Sequence, residues 1–154
     1  NDKIYKIFNY IMIEKIIFNK MLLSLIIRAQ YKSDGIEFFT PGDFSQQLGY
    51  MNRKKNHKIP PHTHNKVKRE VSLTQEVIFV KSGKVRVDYY DGDMNYLESK
   101  TLYQGDVVLL AGGGHGFQML EDSEMIEVKQ GPYAGDKDKK IFEPVDNDKL
   151  KIKS

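Results

Sequence analysis

His62 and His64 sit one residue apart, and Glu76 follows twelve positions after the second histidine. On an extended strand alternate side chains share a face, so His62 and His64 point one way and Thr63 the other. Two imidazoles on one face can share a metal ion, and neutral imidazole is the commonest metal ligand. The competing reading is a pair of exposed histidines at a strand end. Glu76 opens the apolar run EVIFV, on the same face as Ile78 and Val80. An ionised carboxylate turned toward an interior is costly unless it is paired or coordinated. If Val77 and Phe79 face the core instead, Glu76 is a solvent-facing edge residue. His115 follows GDVVLLAGGG and opens another strand, with Phe117 and Met119 on its own face. A lone histidine there would serve equally as a satisfied core residue, but three of the chain's four histidines fall at these positions.

The elements that must position these groups are short and β-like. From residue 36 onward, apolar runs of period two alternate with turn residues. IEFFT closes on Pro41-Gly42, LGYM follows, and IPPHTH, which carries the histidine pair, leads into a third strand. QEVIFVK and KVRVDYY flank Ser82-Gly83, a spacing that predicts a tight hairpin. Asp91-Gly92-Asp93 precedes YLESKTLY, Gly105-Asp106 precedes VVLL, and glycines 112–114 precede HGFQML. EDS then separates that run from EMIEVKQ, which ends at Gly131-Pro132. Many short strands at this spacing imply an all-β antiparallel sandwich or barrel, here over residues 28–135. No repeat or linker interrupts it.

The 154 residues suffice for one domain with a substantial core. Absence of cysteine excludes a disulfide framework, a thiolate metal site and a cysteine nucleophile. A formal charge of +3 with dispersed lysines argues against nucleic-acid binding. Residues 1–27 are expected to form a helical extension. Up to residue 20 this segment uses only residue types with AT-rich codons, as a translated leader ahead of a natural start at Met21 would. Its uncharged runs, such as MLLSLII, are far short of the about 20 apolar residues of a span. A cytoplasmic protein without membrane contact is therefore expected. Residues 136–154, where lysines alternate with aspartates, read as a frayed tail.

At the motifs, the sequence resembles the cupin superfamily. His62, His64, Glu76 and Gly83 match its first motif, in which HxH precedes a glutamate and a glycine stands after six further residues. Gly105, Gly113 and His115 fit the outline of its second. The resemblance covers roughly residues 36–131 and implies a double-stranded β-helix, the cupin jelly roll. It also implies a divalent metal held by His62, His64, Glu76 and His115. Small bacterial cupins of unassigned function carry similar GGHGF and EVKQGPY segments, and dimers formed through open edge strands are common among them. The chain departs from the pattern in three places. Eleven residues separate His64 from Glu76 where three or four are usual, Ala111 replaces a proline, and His115 comes one position early. NKVKREVSLT must form an enlarged loop, and His57 is an alternative ligand to His115.

Nitrogen and oxygen ligands suit Zn, Fe, Mn, Ni or Cu. With an octahedral ion, two positions stay open for a substrate. Arg69 and Lys66 in the enlarged loop could supply charge for a sugar phosphate or carboxylate, unless they are solvated loop cations. Glu127 and Lys129 share a strand face and form either a polar pocket wall or an exposed ion pair. Tyr133 is placed to be a lid or an acid. Two function classes follow. One is a metal-dependent isomerase, epimerase or dioxygenase acting on a sugar or small oxoacid. The other is a non-catalytic module that binds such a small molecule.

Overall fold

A computed structural model describes residues 12–153. Its described part is all-β, with ten strands: β1 (Ile13–Phe18), β2 (Met21–Ile27), β3 (Gly35–Phe38), β4 (Gly49–Asn52), β5 (Glu76–Ser82), β6 (Lys84–Tyr90), β7 (Tyr96–Tyr103), β8 (Val107–Leu110), β9 (Gly114–Met119) and β10 (Glu124–Lys129). They form a five-stranded sheet ordered β1-β2-β8-β5-β10, a three-stranded sheet β7-β6-β9, and the separate hairpin β3-β4. All the strand pairings are antiparallel.

Alternation explains how the two larger sheets pack. Ile78, Val80, Val108, Leu110 and Ile26 line one face of the five-stranded sheet. They meet Val85, Val87, Tyr89 and Leu102 of the other sheet in one buried cluster. Glu76 is therefore on the inward face, while Val77 faces a second cluster outside. There Leu25, Ile27, Leu109 and Val77 pack under Tyr31, Phe39, Phe44, Leu48 and Tyr50, so the β3–β4 region forms an outer cover. In the core, the Tyr89 hydroxyl and Ser24 Oγ lie 3.0 Å apart, and Ser24 donates to the Leu109 carbonyl. Burial pushes the Tyr89 phenol far above its ordinary pKa, so the hydroxyl stays neutral.

Three expectations need correction. The helical extension is not helical where it is described, since Ile13–Phe18 and Met21–Ile27 form an antiparallel hairpin. Residues 1–11 lie outside the described part. Asn19 and Lys20, with φ of 48° and 66°, supply the two-residue turn whose positive dihedrals match the strand twist. Isoleucine-rich flanks favour strand over helix. Lys15 and Glu14, which obscure the pattern, fall on opposite faces of β1. This hairpin extends the main sheet N-terminal of residue 28.

Second, β5 and β6 do not pair as a hairpin. β5 lies between β8 and β10, whereas β6 lies between β7 and β9. The chain crosses from one sheet to the other at Gly83, whose φ is +85°, and a Cβ there would stand 2.3 Å from the Asp122 carbonyl. Two amphipathic strands in sequence can bury both apolar faces by turning this corner. The chain repeats the crossing between β7 and β8, β8 and β9, and β9 and β10.

Third, the tail is tied down. Phe142 packs edge-on against Tyr90 at 5.0 Å, and the Val145 and Lys151 amides donate to the Tyr90 and Tyr96 hydroxyls. Ser99 bridges Ile152 in parallel, extending the free edge of β7 by one rung. Aromatic and backbone partners from strands far upstream outweigh the tail's own polar composition.

Candidate functional site

Glu76 is the first residue of β5, placed opposite Leu110 on one side and Lys129 on the other. His115 is the second residue of β9, opposite Tyr89. Because the two sheets face each other, these separate strands bring the side chains together at one margin of the sandwich. His115 Nε2 is 3.0 Å from Glu76 Oε2, with side chains 29% and 18% exposed. The His115 ring meets Phe117 edge-on at 5.7 Å. The hydrogen bond from His115 holds the Glu76 carboxyl below the usual carboxylate range. Burial opposes that shift, and the charges of Lys129 and Lys139 add to it.

His62 and His64 are also in contact, but as a separate pair. Both lie in an exposed segment without regular structure, between β4 and β5. Their rings meet edge-on at 5.3 Å. His62 Nδ1 is 2.9 Å from the Pro60 carbonyl. A carbonyl only accepts, so Nδ1 is the donor there, which in the neutral ring leaves the lone pair on Nε2, the form in which imidazole binds metals. Among the described residues, no group of three or more His, Asp or Glu side chains is close enough to hold a metal. The four sequence-derived ligands thus fall as two pairs. His57 is exposed on the same segment, its amide bonded to the Lys54 carbonyl.

The other expected site residues divide similarly. Lys129 lies directly across from Glu76 and belongs to the same margin. Its ammonium is 3.4 Å from Asp138 Oδ2 and 5.8 Å from the centre of the Tyr133 ring. Glu127 shares its strand face but is exposed, and the distance above shows Lys129 paired with Asp138. Tyr133 is largely exposed. Arg69 and Lys66 are exposed in the loop. Sequence reasoning missed Asp138, Thr74 and Lys139. Thr74 Oγ1 is 3.4 Å from Asp138 Oδ1, and only the return of the tail to the β5 entrance makes that contact possible.

A second polar cluster lies at the opposite margin. Arg28 donates to Glu14 at 2.6 Å, to Asp106 at 2.7 Å and to the Thr101 carbonyl at 2.8 Å, while Lys100 pairs with Glu14 at 2.7 Å. Burial raises the Glu14 pKa, but hydrogen bonds from Lys100 and Arg28 outweigh it and the net shift is downward. This cluster ties β1, β2, β7 and the turn before β8 together.

No family model matches the chain, and neither a curated protein nor a solved structure matches it. Among the described residues, no helix is long and apolar enough to cross a membrane.

Proposed function

We propose that Glu76 and His115 are half of a divalent-metal site in a small cupin-type jelly roll, completed by His62 and His64. The observation that carries this reading is the contact between Glu76 and His115, an inward carboxylate and an imidazole from facing strands. The repeated crossing of the chain between two sheets is the winding expected of a double-stranded β-helix. The donor set also fits: a carboxylate with a lowered pKa, and a histidine pair of which His62 is held as the metal-binding tautomer. β9 is paired on one side only among the described strands, so its other edge can accept the His62–His64 segment. An HxH added there in extended form turns both imidazoles to one face, beside His115.

The metal would supply Lewis acidity toward an oxygen-bearing ligand. The chain's own groups orient and neutralise it. Glu76 contributes negative charge and His115 an imidazole nitrogen, while Lys129 and Lys139 place positive charge beside them for an anionic ligand. A small oxoacid or acidic sugar is the ligand class that matches these charges. Isomerisation, epimerisation or dioxygenation of such a molecule would make the protein an enzyme, and binding without turnover would make it a carrier module.

The test is calorimetric titration of the full chain with Zn²⁺, Mn²⁺, Fe²⁺ and Ni²⁺. One ion per chain is expected for at least one metal. His62→Ala, His64→Ala, Glu76→Gln and His115→Ala should each weaken it tenfold or more, with the circular dichroism of the sheets retained. Absence of stoichiometric binding by the wild type, or unchanged affinity in the His62 and His64 variants, overturns the proposal.

A further inference from the structure

Lys129 stands beside the Glu76–His115 pair, yet its ammonium is engaged by a residue from the tail. Asp138 reaches it from beyond a single 3-10 turn at Gly135–Lys137, where the Asp138 amide donates to the Gly135 carbonyl at 3.0 Å. One Asp138 oxygen is 3.4 Å from the Lys129 ammonium, and the other is 3.4 Å from the Thr74 hydroxyl. Charge-assisted bonds of this type are normally about 2.7–2.9 Å long. Both contacts are therefore loose. The carboxylate is 13% exposed and the lysine 30% exposed, so the group is sheltered but reachable. The Tyr133 ring lies near the same ammonium and gives the cation an apolar flank.

An ammonium flanked by an aromatic ring, together with a hydroxyl, makes a carboxylate cradle, and at present the chain fills it with its own Asp138 side chain. We infer that Lys129, Thr74 and Tyr133 form a subsite for a ligand carboxylate, and that Asp138 is the internal stand-in which the ligand displaces. The inference deepens the metal-site reading and rests on it for the fate of the ligand's other end. The carboxylate subsite itself is built from residues that are not metal ligands. Displacement frees the Gly135–Lys137 turn, so ligand binding and the position of the tail are coupled.

Competition by a tethered carboxylate lowers apparent affinity by the fraction of time the cradle is filled. A loosely held, partly exposed lysine–carboxylate pair corresponds to about a two- to fivefold effect. The test uses malonate as probe, titrated at fixed ionic strength into the full chain, metal-free and metal-loaded. Binding is followed through the NMR signals of residues 129–139. Asp138→Ala should tighten malonate binding about two- to fivefold. Lys129→Gln should weaken it by at least the same factor, and Lys129→Arg should retain most of it. Unchanged malonate affinity in both Asp138→Ala and Lys129→Gln overturns the inference. Equal tightening of inorganic phosphate by Asp138→Ala overturns the assignment to carboxylates. Failure of the wild type to bind metal would defeat the preceding proposal, whereas the metal-free malonate series decides this one independently.

Discussion

Replacing Arg28 by methionine probes how the sandwich keeps ionised groups inside one margin. Glu14, Asp106, Arg28 and Lys100 form a neutral quartet of two acids and two bases. Arg28 is 14% exposed and Asp106 2%, so neither has much access to water. Methionine keeps most of the aliphatic stem and leaves the quartet with one uncompensated negative charge. Removing one partner of a buried pair typically costs about 3–5 kcal/mol. The lower end applies here because the remaining acids keep other partners. Asp106 still accepts from the Ala29 and Tyr103 amides at 2.9 Å each, and Glu14 keeps Lys100 at 2.7 Å. The expected loss is therefore about 3 kcal/mol, or roughly 6–12 °C in Tm for a chain of this size. Urea unfolding followed by far-ultraviolet circular dichroism measures it, with an unchanged m value as the check on two-state behaviour. Adding Glu14→Gln restores neutrality and should return about 1 kcal/mol of the loss. A loss under about 1 kcal/mol for Arg28→Met, or a double variant no more stable than the single one, refutes the electrostatic account.

Gly83→Ala should cost more than about 2 kcal/mol, since a left-handed conformation penalises any Cβ by about 1–2 kcal/mol and the Asp122 carbonyl and Ser123 Oγ already occupy the space. Thermal unfolding of this variant within 1 °C of the wild type would mean that the corner can relax, contrary to the packing seen. Acid should also weaken the fold. Glu76 and Glu14 have lowered pKa values when folded, so their contribution is present above the ordinary glutamate range and is lost as pH falls through the folded values. Unfolding free energy measured below about pH 4.3 should drop less steeply in Glu76→Gln, and an identical slope would remove Glu76 from the acid response.

Much of the site's raw material could be read locally. Period-two alternation in EVIFV puts Glu76 with Ile78 and Val80, and the buried cluster containing Ile78 and Val80 bears this out. Asp91-Gly92-Asp93 was legible as a turn from its residue types. In the structure the Asp91 carboxylate accepts from the Asp93 and Asn95 amides at 2.9 Å, which is the local reason aspartate favours that position. The glycine run before His115 likewise marked where β9 begins. In residues 13–27, Glu14 and Lys15 interrupt an otherwise isoleucine- and leucine-rich stretch and hide its strand character. Glu14 belongs inside, and only Arg28 and Lys100, from β-strand neighbours distant in sequence, make that burial tolerable.

Sequence by itself determined the β-rich class, most of the turns, and the grouping of Glu76 with Ile78 and Val80 on one face, because each depends on neighbours within a few residues. That this face turns inward was decided by the packing of the sheets. Tertiary structure alone decided that Gly83 turns a corner between sheets rather than closing a hairpin, since that choice depends on which strands lie alongside. It also decided which charges meet. Glu76 and His115 are 39 positions apart in the chain, and Lys129 finds Asp138 only because the tail folds back toward β5. Such contacts are set by how two apolar faces close over one another, a property of the assembled sheets that no local pattern encodes.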